Sequence, residues 1–199
     1  MKKVKLYILD TSDLSVGDLK SSKFVNDADI SKADRYAMEM GKKEHLASDY
    51  FKNRYVGDYY YNEHNKPVSD KTYFNISHSY GYITFVMCED AQIGVDIELI
   101  RNVKDDLIKY VSNDDEFKYI KSNKDFYKIW TTKESVTKCN GEGILRDVKT
   151  IPGLPIDGVK EFNGNKMFSK LLEFPDYVIS ITLMDSEDFE VEVINEVIE

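Results

Sequence analysis

The run "QIGVDIELI", residues 92–100, alternates apolar and other residues with the period of an extended chain. Val95, Ile97 and Leu99 fall on one face of such a strand, and Asp96 and Glu98 on the other. The two acids then stand about 7 Å apart at their Cα atoms. Like charges that close repel each other, so the fold has to offset them. Two surroundings would do so: a solvated outer face on an edge strand, or a divalent cation. Hard carboxylate oxygens at this spacing suit Mg²⁺.

The flanking segments set the fold class. Residues 3–9 read as a first strand, and residues 30–56 as a helix interrupted near Gly41. A polar loop with Pro67 as a breaker follows. The strand signals "TYFNIS" and "YITFVMCED" come next, separated by "HSYGY", in which Gly81 marks a turn. Short helices are expected over 103–111 and 114–121, and a longer one over 124–139, stopped by Asn140-Gly141. After the turn-rich stretch 140–158, "KMFSKLLEF" and "YVISITLMD" read as strands, and the acid–apolar alternation of the tail as an edge strand. The pattern is α+β, each half offering helices and an antiparallel sheet.

A chain of 199 residues is long enough for one domain or two small fused ones. Its net charge of −9 argues against a duplex nucleic-acid binder, which needs clustered Lys and Arg. A local basic pocket for a small phosphorylated ligand stays compatible with it. Two cysteines, Cys88 and Cys139, form no CxxC and suit a reducing compartment. No apolar run reaches the 18 residues of a membrane span, and the start of the chain resembles a strand more than a signal peptide. A soluble, cytoplasmic protein is the expectation.

Candidate chemistry gathers in three places. Glu134 and Lys138 lie four apart on one helical face beside Thr131. They read either as a surface ion pair or as a third oxygen ligand beside Asp96 and Glu98 with a cation for phosphate. Ser77, His78 and Ser79 are expected where a strand ends and a turn begins, an anion-binding corner of hydroxyls, imidazole and backbone N–H groups. The three histidines lack zinc-type spacing, and no G-x-S-x-G elbow occurs. Carboxylates for Mg²⁺, lysines and a histidine for phosphate, and no evident nucleophile point to transfer at a diphosphate.

"FNISHS", "IGVDIE" and "WTTKESVTK", in that order over residues 74–138, resemble the motifs of the 4′-phosphopantetheinyl transferase superfamily. The length resembles the surfactin-synthetase-activating type, a pseudo-two-fold pair of similar subdomains, rather than the half-size trimeric type. The resemblance implies subdomains 1–92, contacting the adenosine and phosphates of coenzyme A, and 93–199, carrying the metal-binding acids and the catalytic helix. It implies transfer of the phosphopantetheine arm of coenzyme A to a serine of an apo acyl or peptidyl carrier protein, with release of 3′,5′-ADP. Asp96, Glu98 and Glu134 would be the Mg²⁺ ligands, and Lys138 would hold the diphosphate. Glu116 would be the base, with Asp115 or a metal-bound water as substitutes. Ser77 and His78 would contact the coenzyme's phosphates, His78 reaching the 3′-phosphate. No membrane or nucleic-acid partner is implied, and a monomer is expected.

Upstream, Lys32 and Arg35 match a basic pair that approaches the 3′-phosphate. The arginine that family members carry early in the next helix has no counterpart in "GKKEHLASDYF", which offers Lys42, Lys43, Glu44 and His45. The family's G-K-P loop over the adenine stands here as Asn65-Lys66-Pro67, and asparagine tolerates the positive φ that a glycine would supply. Two other functions share these residues: a Mg²⁺-dependent nucleotide diphosphate hydrolase, and a non-catalytic homologue that binds coenzyme A or a carrier. A carrier is expected to dock on an apolar patch with a few basic residues over 103–121.

Overall fold

The structure is a computed structural model that describes residues 1–141 and 147–198. Residues 142–146, part of the stretch read as turn-rich, lie outside the described residues. Strand β1 (Lys2–Asp10) leads into helices α1 (Val16–Ser21), α2 (Asp27–Ala33) and α3 (Glu39–Phe51), the last continuing as a π-turn over Lys52–Val56. The ribbon β2 (Tyr60–Tyr61) and β3 (Pro67–Val68) precedes β4 (Tyr73–Ser79), β5 (Tyr82–Cys88) and β6 (Ile93–Leu99). Helices α4 (Asp105–Val111), α5 (Asp114–Tyr119) and α6 (Asn123–Asn140) follow. Strands β7 (Gly158–Phe162), β8 (Asn165–Glu173), β9 (Tyr177–Met184) and β10 (Phe189–Asn195) complete the order.

Two four-stranded sheets run β10-β1-β5-β4 and β6-β9-β8-β7. Alternation along the strands builds the layers. Val4, Leu6 and Ile8 of β1 join Val95 and Ile97 of β6 and Ile179, Ile181 and Leu183 of β9 in one apolar cluster shared by both sheets. Tyr7 and Leu9 of β1 point the other way, onto Leu46, Tyr50 and Phe51 of α3. On the second sheet, Met167 and Val178 meet Phe126 and Val136 of α6. The architecture is α+β, with helices packed on largely antiparallel sheets. The exception is β10, which runs parallel to β1 at the sheet edge. The tail is therefore the edge strand its alternation predicts, but of the sheet that the start of the chain builds.

The expected helix 30–56 is two helices, and the break is not at Gly41. The N–H groups of Asp34, Arg35 and Tyr36 bond back to Ile30, Lys32 and Ala33, closing α2, and the chain re-enters helix at Glu39. Gly41 lies inside α3, where a Cβ would stand 3.0 Å from Tyr36 Cδ1. It makes room for a ring rather than ending a helix. The corner expected at Ser77–Ser79 is also strand. β4 pairs with β5 as far as Ser79↔Tyr82, and the turn is only Tyr80-Gly81, both at positive φ. Among the described residues, no helix is long and apolar enough to cross a membrane.

Candidate functional site

The site forms where the edges of the two sheets meet under α6. On β6, Gly94, Asp96 and Glu98 share one face while Val95 and Ile97 go to the core. A Cβ at Gly94 would lie 2.2 Å from Ser135 O and 2.3 Å from Cys139 N, so only glycine lets α6 settle this low on the strand. Small hydroxyl side chains complete the contact: Ser135 Oγ lies 2.9 Å from Ser180 Oγ and 2.7 Å from Thr182 Oγ1 of β9. That close approach brings the stripe Trp130, Glu134 and Lys138 of α6, spaced i, i+4, i+8, against the acids of β6. Gly141, at φ 85, ends the helix as its sequence predicts.

The other wall is β4. Asn75, Ser77 and Ser79 share one face of that strand and meet the free edge of β6. Val95 N–H donates to Asn75 Oδ1 (2.9 Å), Ile97 N–H to Ser77 Oγ (3.4 Å) and Leu99 N–H to Ser79 Oγ (3.3 Å). The edge amides of one sheet are thus satisfied by side chains of the other. The same hydroxyls donate onward, Ser77 to Asp96 Oδ1 (2.8 Å) and Ser79 to Glu98 Oε2 (2.8 Å). Trp130 Nε1 donates to Glu98 Oε1 at 3.1 Å. Lys138 Nζ donates to Asp96 Oδ1 (2.6 Å) and Ser77 Oγ (3.0 Å).

The electrostatics are unbalanced. Burial pushes the Asp96 carboxyl up, against the pull of Lys138. Burial and then the charge of Asp96 push Glu98 up. Glu134 is raised to about 7 by burial, then by Asp96 and more weakly by Glu98, while Lys138 opposes. Asp96 Oδ2 is buried without a hydrogen-bond partner. Lys138 and, more weakly at Glu98, Arg101 do not offset the burial of three interacting carboxylates, and the orphaned oxygen and the all-carboxylate donor set suit a hard cation. Among the described residues, though, no three His, Cys, Asp or Glu side chains are gathered closely enough to hold a metal ion. Glu98 turns both oxygens to Ser79 and Trp130, and Asp96 turns one to Lys138.

The structure does not bring Glu116 into this group. It is 1% exposed, and its Oε2 takes Lys133 Nζ (2.7 Å) and the N–H of Asn113 (3.0 Å), while Oε1 takes the N–H of Gly153 (2.9 Å). Such a carboxylate caps α5 and anchors α6 from within. Asp115 is exposed and paired with Lys118 at 3.1 Å.

The remaining candidates line separate hollows. Lys66 and Pro67 wall an open hollow of about 780 Å³ together with Gln92, Asn140 and Gly141. Lys66 Nζ donates to Lys138 O (2.6 Å), binding that wall to the end of α6, and Asn65 takes φ 56 in place of a glycine. Lys32 and Arg35 line a hollow of about 350 Å³ with Tyr36 and His45. His78 alternates away from Ser77, so the two do not share a face; its Nδ1 lies 3.2 Å from Glu44 Oε2. Asn75, and Trp130 as a donor to Glu98, are absent from the sequence-based assignment, and Ser79, expected in an anion-binding corner, instead bonds Leu99 N–H and Glu98 in the seam. The spacing of Asn75 and Ser79, two residues either side of Ser77, was the available signal.

A model of the 4′-phosphopantetheinyl transferase superfamily matches residues 92–182, which contain Asp96, Glu98, Glu134 and Lys138. A comparison with curated proteins finds no match.

Proposed function

We propose that the chain transfers the 4′-phosphopantetheine arm of coenzyme A to a serine of an apo carrier protein, releasing 3′,5′-ADP. The observation that carries this reading is the undercompensated acid group Asp96, Glu98 and Glu134 beside Lys138, inside the segment that matches the superfamily. Asp96, Glu98 and Glu134 would hold Mg²⁺, which supplies charge neutralisation to a diphosphate when bound. Lys138, which bonds Asp96 and Ser77, would exchange those partners for a phosphate oxygen. In the transfer, the serine oxygen bonds to the phosphorus bearing pantetheine, the bridging P–O bond breaks with its electron pair going to the 3′,5′-ADP oxygen, and the serine proton passes to solvent or to that released phosphate. Glu116 is fully engaged in the fold, so the reading assigns it no part in that proton's removal.

The division of labour follows the two-subdomain reading. Residues 1–92 supply Ser77, Lys66, Pro67, Lys32 and Arg35 toward the nucleotide, and residues from 93 supply the acids and α6. β10 joins the first sheet, so this boundary is one of function more than of packing. The two-halved, surfactin-synthetase-activating layout is the subtype we favour. For docking, Leu107, Tyr110 and Phe117 of α4 and α5 are 47%, 69% and 47% exposed. Replacing them with Ser should raise KM for the carrier and leave that for coenzyme A unchanged.

The test is to incubate the protein with coenzyme A, Mg²⁺ and an apo carrier, then weigh the carrier. A gain of roughly 340 Da, the mass of the arm, supports transfer. Free phosphopantetheine with an unchanged carrier would mean a hydrolase. Binding without either product would mean a non-catalytic homologue.

A further inference from the structure

Helix α3 does not stop at Phe51 but widens into a π-turn over Lys52–Val56, where the N–H of Gly57 bonds to Lys52 O, five residues back, at 2.9 Å. A π-turn is rare inside a helix, so something outside the helix has to hold it. What holds it comes from a distant segment. Glu196, one residue past β10, donates its N–H to Ile8 O at 2.8 Å and turns its carboxylate inward, where the side chain is 5% exposed. Oε1 accepts from the Tyr50 hydroxyl and from Arg54 Nη1, each at 2.9 Å, and Oε2 accepts from the Tyr55 hydroxyl at 2.7 Å. In α-helical register Tyr55, five residues after Tyr50, would stand roughly 140° away from it around the axis. The extra residue in the π-turn brings Tyr55 round to the same carboxylate, and the three bonds close together in this register.

On its other side the turn grips the ribbon β2–β3. Lys52 Nζ, ion-paired with Asp49, lies 5.0 Å from the centre of the Tyr59 ring and 5.9 Å from that of Tyr61, and it donates to the Tyr61 hydroxyl at 3.4 Å. Tyr61 pairs with Pro67 across the ribbon, and Lys66, next in the chain, donates to Lys138 O near the end of α6. Strands of two residues do not fix their own place, so the anchors at Lys52 and Lys138 decide where the ribbon lies. Relaxing the π-turn to α-helix would swing the chain beyond it relative to α3 and carry Tyr59 and Tyr61 off Lys52. Glu196 is thus joined to α6 by unbroken contacts through one element that has two discrete registers.

We infer that Glu196 is a positioning residue: its carboxylate fixes the π register at the end of α3 and, through it, the seat of the Lys66-bearing ribbon against α6. The consequence for a nucleotide rests on the transfer reading above; the register does not.

Hydrogen exchange read by mass spectrometry on the full chain tests this without nucleotide or carrier. Glu196→Gln should speed exchange in peptides covering 52–68 by about tenfold or more, the worth of a charge-assisted bond, while peptides within β9 stay within about twofold of wild type. Tyr55→Phe keeps the ring and the Arg54–Glu196 pair, and should speed the same peptides by about threefold or more. Calorimetry supplies the binding arm: Glu196→Gln should bind 5′-AMP about threefold or more weakly and inorganic pyrophosphate within about twofold of wild type. Faster exchange confined to 189–198, or spread equally over β9, overturns the inference, as does a Tyr55→Phe chain that exchanges like wild type. If exchange follows the expected pattern while 5′-AMP affinity stays unchanged, the register role stands and the assignment of Lys66 and Pro67 to the nucleotide falls. A carrier that gains no mass with that pattern intact overturns the transfer reading alone.

Discussion

Helix α6 serves two acid–lysine centres one residue apart, Lys133 with Glu116 and Glu134 and Lys138 with Asp96, and they differ in how completely their charges are satisfied. Lys133 spends its three protons on Glu116 and on the carbonyls of Val111 (3.0 Å) and Val148 (2.9 Å). Glu116 in turn has both oxygens engaged. At Asp96 the count fails: Lys138 and, more weakly at Glu98, Arg101 do not offset three acids, all three carboxyls are pushed up, and one buried oxygen has no partner. A closed set of partners holds elements together. An open set, kept at the expense of repulsion, awaits something from outside.

Substitutions on either side should therefore fail differently. Asp96→Ala should lower transfer by about a thousandfold or more, while urea unfolding stays within about 1 kcal/mol of wild type or improves. Near-normal turnover in that variant would break the contrast. Lys133→Met should instead remove about 3–5 kcal/mol of stability by stranding a buried carboxylate, and Lys133→Met with Glu116→Gln should recover part of it. If Lys133→Met folds as well as wild type but cannot turn over, the two centres have been assigned the wrong way round.

A third lysine sharpens the comparison through pH. Lys160 is 3% exposed, its ammonium bonds to Pro155 O, and burial pushes it down to about 8 from an ordinary 10.5. Below pH 8, folded and unfolded chains both hold that proton and the penalty is constant. Between about 8 and 10.5 only the unfolded chain holds it, so this group's contribution to stability rises with pH. Lys160→Met should stabilise the protein at pH 7 by on the order of 2–3 kcal/mol, an advantage that fades toward pH 10. Parallel wild-type and variant stability curves over that range would contradict the assignment. The smallest effect belongs to Ser79→Ala, about 1 kcal/mol from the lost seam bond, with a several-fold drop in turnover as Glu98 loses one of its two holders.

The elements with unbroken periodicity were legible in the sequence. The alternation of 92–100 and the helical run 124–139 describe β6 and α6 to within a residue or two. Where one residue type has two uses, sequence reading chose the commoner one. Gly41 reads as a breaker but accommodates a ring, and Tyr80 does not read as a turn residue although it takes φ 50. β7 was not anticipated, yet Asn163-Gly164, both at positive φ, is a hairpin signal that could have placed it. The satisfaction of Glu116 was beyond reach, because its partners Gly153 and Lys133 arrive from distant segments and only tertiary packing introduces them. The same holds for the Glu44–His78 contact, which joins α3 to a hairpin that local pattern does not connect to it.

The three side chains that plug the amides of β6 have a mechanical corollary. Prising the sheets apart like a jaw would break three main-chain bonds at one stroke, a cost that a swing of one surface side chain does not carry. An anion arriving beside Asp96 would instead have to displace Lys138, a single flexible side chain that bonds Asp96 and Ser77.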